Sequence, residues 1–221
     1  AKWGTKATVT FTDAYRNGGT TYSSFVKPGT AVTSPAGVES YWSQTLSKDI
    51  ESSDWRVFNN WKLGDTTTTV NASTSYTVPA NTADGATISF TASYTITTYY
   101  RVTISATGYT GGSMGAHTAK VTISGSQLID LTGKTVTSPV TVETATTTAQ
   151  TGTYFATGTL DVSVSAEGTT WFIASVYSGY NISQAGTSQY SASRKTSDIS
   201  KTCSLDMSAG YVSVVATCTR S

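Results

Sequence analysis

Side chains able to do chemistry are few in this chain and widely spaced. One histidine, His117, closes the glycine-rich stretch 111–117, where a solvated loop is expected. A metal site built from several imidazoles is therefore excluded. No G-x-S-x-G elbow is present to hold a serine nucleophile beside that histidine. Asp49, Glu51 and Asp54 cluster, with Asp65 nearby, but without the spacing of an EF-hand or a glycine–aspartate calcium repeat. They read as a solvated acidic turn. Glu39, Glu143 and Glu167 are available for a carboxylate pair across a cleft, as glycoside hydrolysis needs, though nothing in their spacing brings two together. No catalytic residue, metal ligand or cofactor is expected.

The two cysteines carry more information. If Gly210 and Tyr211 form a two-residue turn with glycine first, Met207 faces Val214, Leu205 faces Ala216 and Cys203 faces Cys218. A disulfide across such a hairpin would close a ring of about 15 residues, worth about 3 kcal/mol in the chain-entropy account. It would also imply an oxidising compartment. The alternative is a pair of buried free thiols.

Aromatic residues concentrate at Tyr41, Trp42, Trp55, Phe58 and Trp61. Such a group can stack on sugar rings, anchor a protein interface, or form a satellite core. Asn71-Ala72-Ser73 and Asn181-Ile182-Ser183 are sequons for N-glycosylation.

Strands must position these groups. Serine and threonine make up about a third of the 221 residues, and charged residues only 12%. Threonine, tyrosine and valine suit a pleated, half-buried surface. Residues 6–12 place Ala7, Val9 and Phe11 on one face and threonines on the other. An alternating apolar face at a free chain end is suited to joining a neighbour's sheet edge. Residues 86–106 keep one phase from Ala86 to Ala106, a span of about 70 Å if unbroken. Either a turn near Thr97-Thr98 or one long bent strand accounts for it. Further strands are read at 119–124, 135–144, 158–166 and 170–177, separated by glycine-rich turns. The expectation is an all-β chain: one β-sandwich domain over 1–221, jelly-roll or Ig-like, with residues 1–13 a strand open to exchange. One stretch departs from this. Val38, Trp42, Leu46 and Ile50 recur at helical spacing after Ser34-Pro35, which predicts a short helix over 38–50.

The net charge of +1, without a basic block, offers nothing to nucleic acid or to an anionic membrane at long range. No apolar run is long enough for a transmembrane helix. A small residue at position 1 is what signal-peptide cleavage leaves behind, so an extracellular or cell-surface location is expected.

Phe11-Thr12-Asp13, followed by Phe25 and Gly29-Thr30, resembles the start of mature extracellular fibre proteins of the TasA/camelysin type. The stretch from Tyr154-Phe155-Ala156 to Leu160-Asp161-Val162 is similar to that family's F-x-A-G-T-L-D-L segment. This resemblance implies a sandwich that polymerises when one subunit's N-terminal strand completes the next subunit's sheet. Tyr76-Thr77-Val78-Pro79-Ala80-Asn81-Thr82, followed by the long Ser/Thr-rich strand, looks like a segment of aerolysin-type pore-forming toxins, which implies an insertion hairpin over 135–166. The expected function is a self-assembling extracellular structural subunit with itself as partner. A glycan-binding adhesin directed at a host or cell surface, and a β-pore-forming toxin, stand as alternatives.

Overall fold

Branched and aromatic residues on a period of two make strands, and strands are nearly all this chain contains. The computed structural model describes residues 4–16, 19–37, 39–195 and 197–221. The fold is all-β. Among the described residues there is no α-helix, only single 3-10 turns at Gly112–Met114 and Met207–Ala209.

The first strands are β1 (Ala7–Asp13), β2 (Thr20–Val26), β3 (Ala31–Thr33), β4 (Tyr41–Trp42), β5 (Ser52–Leu63), β6 (Thr69–Val70) and β7 (Ser75–Thr77). Then comes β8 (Thr87–Thr107), 21 residues without a break, so the long strand rather than the turn is what forms. After it follow β9 (Tyr109–Thr110), β10 (Ala116–His117), β11 (Ala119–Ser124), β12 (Leu128–Ile129), β13 (Val140–Thr144) and β14 (Gln150–Ala156). The chain finishes with β15 (Thr159–Ala166), β16 (Thr169–Trp171), β17 (Ala174–Gln184), β18 (Thr187–Arg194), β19 (Ile199–Asp206) and β20 (Val212–Arg220).

The chain divides into two compact units. The first comprises the described residues up to Tyr41 together with Trp55–Ile96; the second comprises Trp42–Asp54 and Thr97–Ser221. In the first unit, β1 lies between β2, antiparallel from Ala7↔Val26 to Asp13↔Thr20, and β8, parallel from Thr8↔Thr87 to Thr12↔Thr91. Strict alternation turns Ala7, Val9 and Phe11 inward, where they meet Val32, Trp61, Val70, Val78 and Phe90. The Phe11 ring stacks on Phe90 at 5.0 Å and meets Trp61 edge-on at 5.4 Å.

The second unit has two sheets. One runs β12-β14-β8-β20-β17-β16, with β18 also on β17; the other runs β13-β11-β15-β19. Both send alternate side chains into one apolar cluster: Val102 and Ile104 from β8, Val121 and Ile123 from β11, Leu160 and Val164 from β15, Val212 and Val214 from β20. Two sheets closing on one core are compatible with a sandwich. Each such side chain taken from water contributes about 1.5–3 kcal/mol, which is what holds the layers.

Three expectations are corrected. The helix over 38–50 does not form; Val38 itself lies outside the described residues. Tyr41–Trp42 is a short strand on β5, and irregular backbone follows it. Tertiary contacts take the groups a helix would use. Arg101 donates its guanidinium N–H to the carbonyls of Lys48 and Ile50 and its backbone N–H to Glu51, while Ser53 accepts from the Gln44 amide. The spacing of Trp42, Leu46 and Ile50 instead sets three anchors into a small cluster with Ile129, Phe155 and Tyr99. Local composition offers no resistance, since Tyr, Trp, Ser and Thr are indifferent helix formers.

The C-terminal hairpin is not formed either. Asp206 caps the 3-10 turn Met207–Ala209, accepting from the Ser208 N–H, and the chain passes there from one sheet to the other. β19 pairs with β15 and β20 with β17 and β8, so Cys203 lies opposite Val162, and Cys218 opposite Ser178. Both are free cysteines. Finally, residues 170–177 are not one strand: β16 turns back into β17, Trp171 facing Ala174, with Phe172 and Ile173 at the tip.

Candidate assembly surfaces

Ala7, Val9 and Phe11 are core residues of the first unit, with no exposed apolar stripe. Their strand is anchored at its end by a buried carboxylate. Asp13, 3% exposed, accepts from the Tyr94 hydroxyl and, at 3.1 Å, from the Tyr15 backbone N–H. Burial, reinforced by the hydrogen bond and the charge of Asp13, pushes the Tyr94 hydroxyl well above the usual tyrosine range. The Arg56 guanidinium lies 4.9 Å from the Tyr15 ring and 5.7 Å from that of Tyr41, a cation–π arrangement.

Next to β1, β2 is a different surface. It pairs with β1 along one side, and among the described residues no strand covers the other. Natural sheets blunt such edges with lysine, proline or a bulge. Within Thr20–Val26 there is none, Lys27-Pro28 standing only at its end: the sequence is Thr-Thr-Tyr-Ser-Ser-Phe-Val, its register to β1 is unbroken, and Phe25 is 76% exposed. Register places Phe25, Thr8 and Thr87 in one cross-strand row, Ser23, Thr10 and Ser89 in the next, and Thr21, Thr12 and Thr91 in a third. The Thr12 and Thr21 hydroxyls hydrogen-bond at 3.1 Å. The result is a hydroxyl-covered face ending in an unprotected edge. By contrast, the edge strand β18 carries Arg194 and meets β17 through a register shift at Ile182/Ser183.

Trp61 is buried and donates its indole N–H to the Pro35 carbonyl at 3.1 Å. Phe58 meets Trp61 and Tyr94 edge-on, at 5.4 and 5.6 Å, and Tyr41 meets Tyr94 edge-on at 6.3 Å. Trp42 belongs to the second unit, 5.1 Å from Tyr99. Trp55 is half-buried on β5. Asn71 and Asn181 both have exposed side chains, and Asn181 accepts from the Ser188 hydroxyl at 2.7 Å.

Burial raises the thiol pKa of both Cys203 and Cys218, which keeps them protonated and poorly nucleophilic. His117 is buried rather than on a solvated loop. It pairs with Tyr109 in the β9–β10 ladder, the two rings stack at 6.4 Å, and its Nε2 has no hydrogen-bond partner. The carboxylates are dispersed among structural duties. Asp54 accepts from the Thr98 hydroxyl at 2.7 Å and Glu167 from the Thr118 N–H at 3.0 Å. Among the described residues, no three His, Cys, Asp or Glu side chains converge as metal ligands. Among the described residues no helix is long and apolar enough to cross a membrane.

One surface escaped the sequence reading. Trp171, Phe172 and Ile173 are 52%, 87% and 103% exposed at the β16–β17 tip, with Phe172 at φ 50°. The signal was three consecutive bulky apolar residues just after Glu167-Gly168, a pattern indistinguishable from a buried strand without knowing where the chain turns. No protein-family model matches this chain, and no curated protein matches it.

Proposed function

We propose that this protein is an extracellular structural subunit that self-assembles into a filament or surface layer through sheet pairing between copies, with β1 as the exchanged strand. The unpaired β2 edge supports pairing between copies, and the slot of β1 between β2 and β8 is what an exchanged β1 would fill. A strand added there gains main-chain hydrogen bonds along seven residues, each worth about 0.5–1.5 kcal/mol net. Exchange of β1 between copies re-forms the contacts β1 makes within its own chain: Ala7, Val9 and Phe11 enter an identical slot between β2 and β8. Strand exchange of this kind therefore costs little in contact energy. A surface rich in hydroxyls and poor in charge suits an extracellular polymer, and the resemblance to TasA/camelysin-type fibres points the same way.

Negative-stain electron microscopy of the native protein should show regular filaments or sheets. Replacing both exposed aromatic residues of the edge, Tyr22→Lys with Phe25→Lys, should leave the subunit folded and abolish assembly. Deleting residues 1–13 should also abolish it. Normal polymers from both variants would refute sheet pairing as the assembly mode.

A further inference from the structure

We infer that Asn71 carries an N-linked oligosaccharide, and that the second sequon, at Asn181, stays bare. This rests on the extracellular reading, because the modification needs a lipid-linked sugar donor and a transferase met during export.

The two triplets share their chemistry and differ in their backbones. Asn71-Ala72-Ser73 forms the turn between β6 and β7, with Asn71 and Ser73 exposed and Ser73 in the left-handed region at φ 53°. Buried Ser34 holds this turn from beneath: its hydroxyl donates to the Asn71 carbonyl at 2.5 Å and accepts from the Thr74 N–H at 3.0 Å. The Thr74 hydroxyl donates to the same carbonyl at 2.6 Å. All these bonds fall on the Asn71 backbone and leave its exposed carboxamide out of them. The turn therefore keeps its shape when that carboxamide gains a bulky substituent.

Asn181-Ile182-Ser183 lies inside β17 and is paired on both sides. Asn181 stands opposite Ser191 and Val215, and Ser183 opposite Ser188 and Ser213. Ile182 between them is buried in the core, and the Asn181 carboxamide oxygen accepts from the Ser188 hydroxyl. A transferase must draw the triplet into its own site, which here would open two strand ladders and pull Ile182 into water. An acceptor triplet belongs on a surface loop, and of the two only Asn71 lies on one.

The transfer is simple to balance. The carboxamide nitrogen of Asn71 bonds to the anomeric carbon of the first sugar, the bond from that carbon to the lipid-linked phosphate breaks, the phosphate leaves with the electron pair, and the nitrogen gives up one proton. The site also leaves the proposed assembly edge clear. Strands of the first unit run β2-β1-β8-β5-β6, so the turn after β6 lies four strand spacings, about 19 Å, from β2. With charged residues only 12% of the chain, a hydrophilic oligosaccharide supplies solvation that side-chain charge does not.

The test is site-mapping mass spectrometry on the full chain isolated from its native cells, beside variants expressed in the same cells. The peptide holding Asn71 should carry a sugar mass increment and the peptide holding Asn181 none. Asn71→Gln and Ser73→Ala should each lose the increment, the second without touching the acceptor nitrogen, and Asn181→Gln should keep it. A bare Asn71, an increment on Asn181, or an increment that survives Ser73→Ala would overturn the inference. Cell fractionation separates the two ways of failing. A bare chain at the cell surface overturns the Asn71 site alone, and a bare chain in the cytosol overturns the extracellular reading with it. Electron microscopy keeps assembly apart: Asn71→Gln should polymerise as the wild type does, and loss of polymers in that variant would place the glycan on an assembly surface and overturn the separation from β2.

Discussion

Two groups of large apolar side chains in this protein have the same chemistry and opposite surroundings. Phe11, Trp61 and Phe90 fill the core of the first unit, held by ring contacts of 5.0–5.4 Å. Trp171, Phe172 and Ile173 project from a hairpin end in the second. The difference lies in the strands that carry them. β1 has a neighbour on each side and a row of inward partners, so every second residue meets a full shell. The β16–β17 tip lies beyond the last paired residues, Trp171 and Ala174, and among the described residues its three side chains stay exposed. Side-chain type alone thus does not specify burial; the count of neighbouring backbone strands does.

The largest way to break this comparison is Phe11→Ala. It leaves a cavity between Phe90 and Trp61 and should cost about 3–5 kcal/mol in chemical denaturation, whereas Phe172→Ala should change stability by no more than about 0.5 kcal/mol. Equal costs would mean that the tip is packed. Next in size is Tyr94→Phe, which removes the hydroxyl donor to buried Asp13 and should cost about 1–3 kcal/mol. Its pH signature sharpens the assignment. Native Tyr94 keeps its proton where the unfolded chain has lost it, so the native state binds more protons and stability falls as pH rises above about 10. Urea midpoints measured between pH 8 and 11 should drop in the wild type more than in the Tyr94→Phe variant. A smaller effect is expected at the tip: Phe172→Gly relieves the left-handed backbone and should stabilise the subunit by up to about 1 kcal/mol in chemical denaturation. The smallest response belongs to the thiols. Dithiothreitol should leave the melting temperature unchanged, and iodoacetamide should label buried Cys218 only as fast as the chain opens, with Cys203 ahead of it.

Much of the fold was readable because strand patterning is local. Ala7, Val9 and Phe11 share a face in any strand that contains them, and the unbroken phase from residue 86 to 106 admitted β8 as one of two readings, a turn near Thr97-Thr98 being the other. The misreadings arose where a local pattern admits two tertiary settings. Trp42, Leu46 and Ile50 have helical spacing, yet they serve as anchors of a loop whose carbonyls bond to Arg101. Alternation around Cys203 and Cys218 correctly turns both toward one core, but it says nothing about which sheet each strand joins. The β2 edge, the candidate assembly surface, was invisible because its exposure depends on which strand lies beside it.

The sequence by itself therefore determined the strand-dominated architecture and the inward face of most strands, since alternation is a property of neighbouring residues along the chain. It also determined the scarcity of catalytic groups. Only the tertiary structure decided which strands pair, where the core reaches the surface, and which large apolar residues remain outside it. Backbone hydrogen bonds between strands are the same for any sequence, so partners are selected by long-range packing that no window of residues contains.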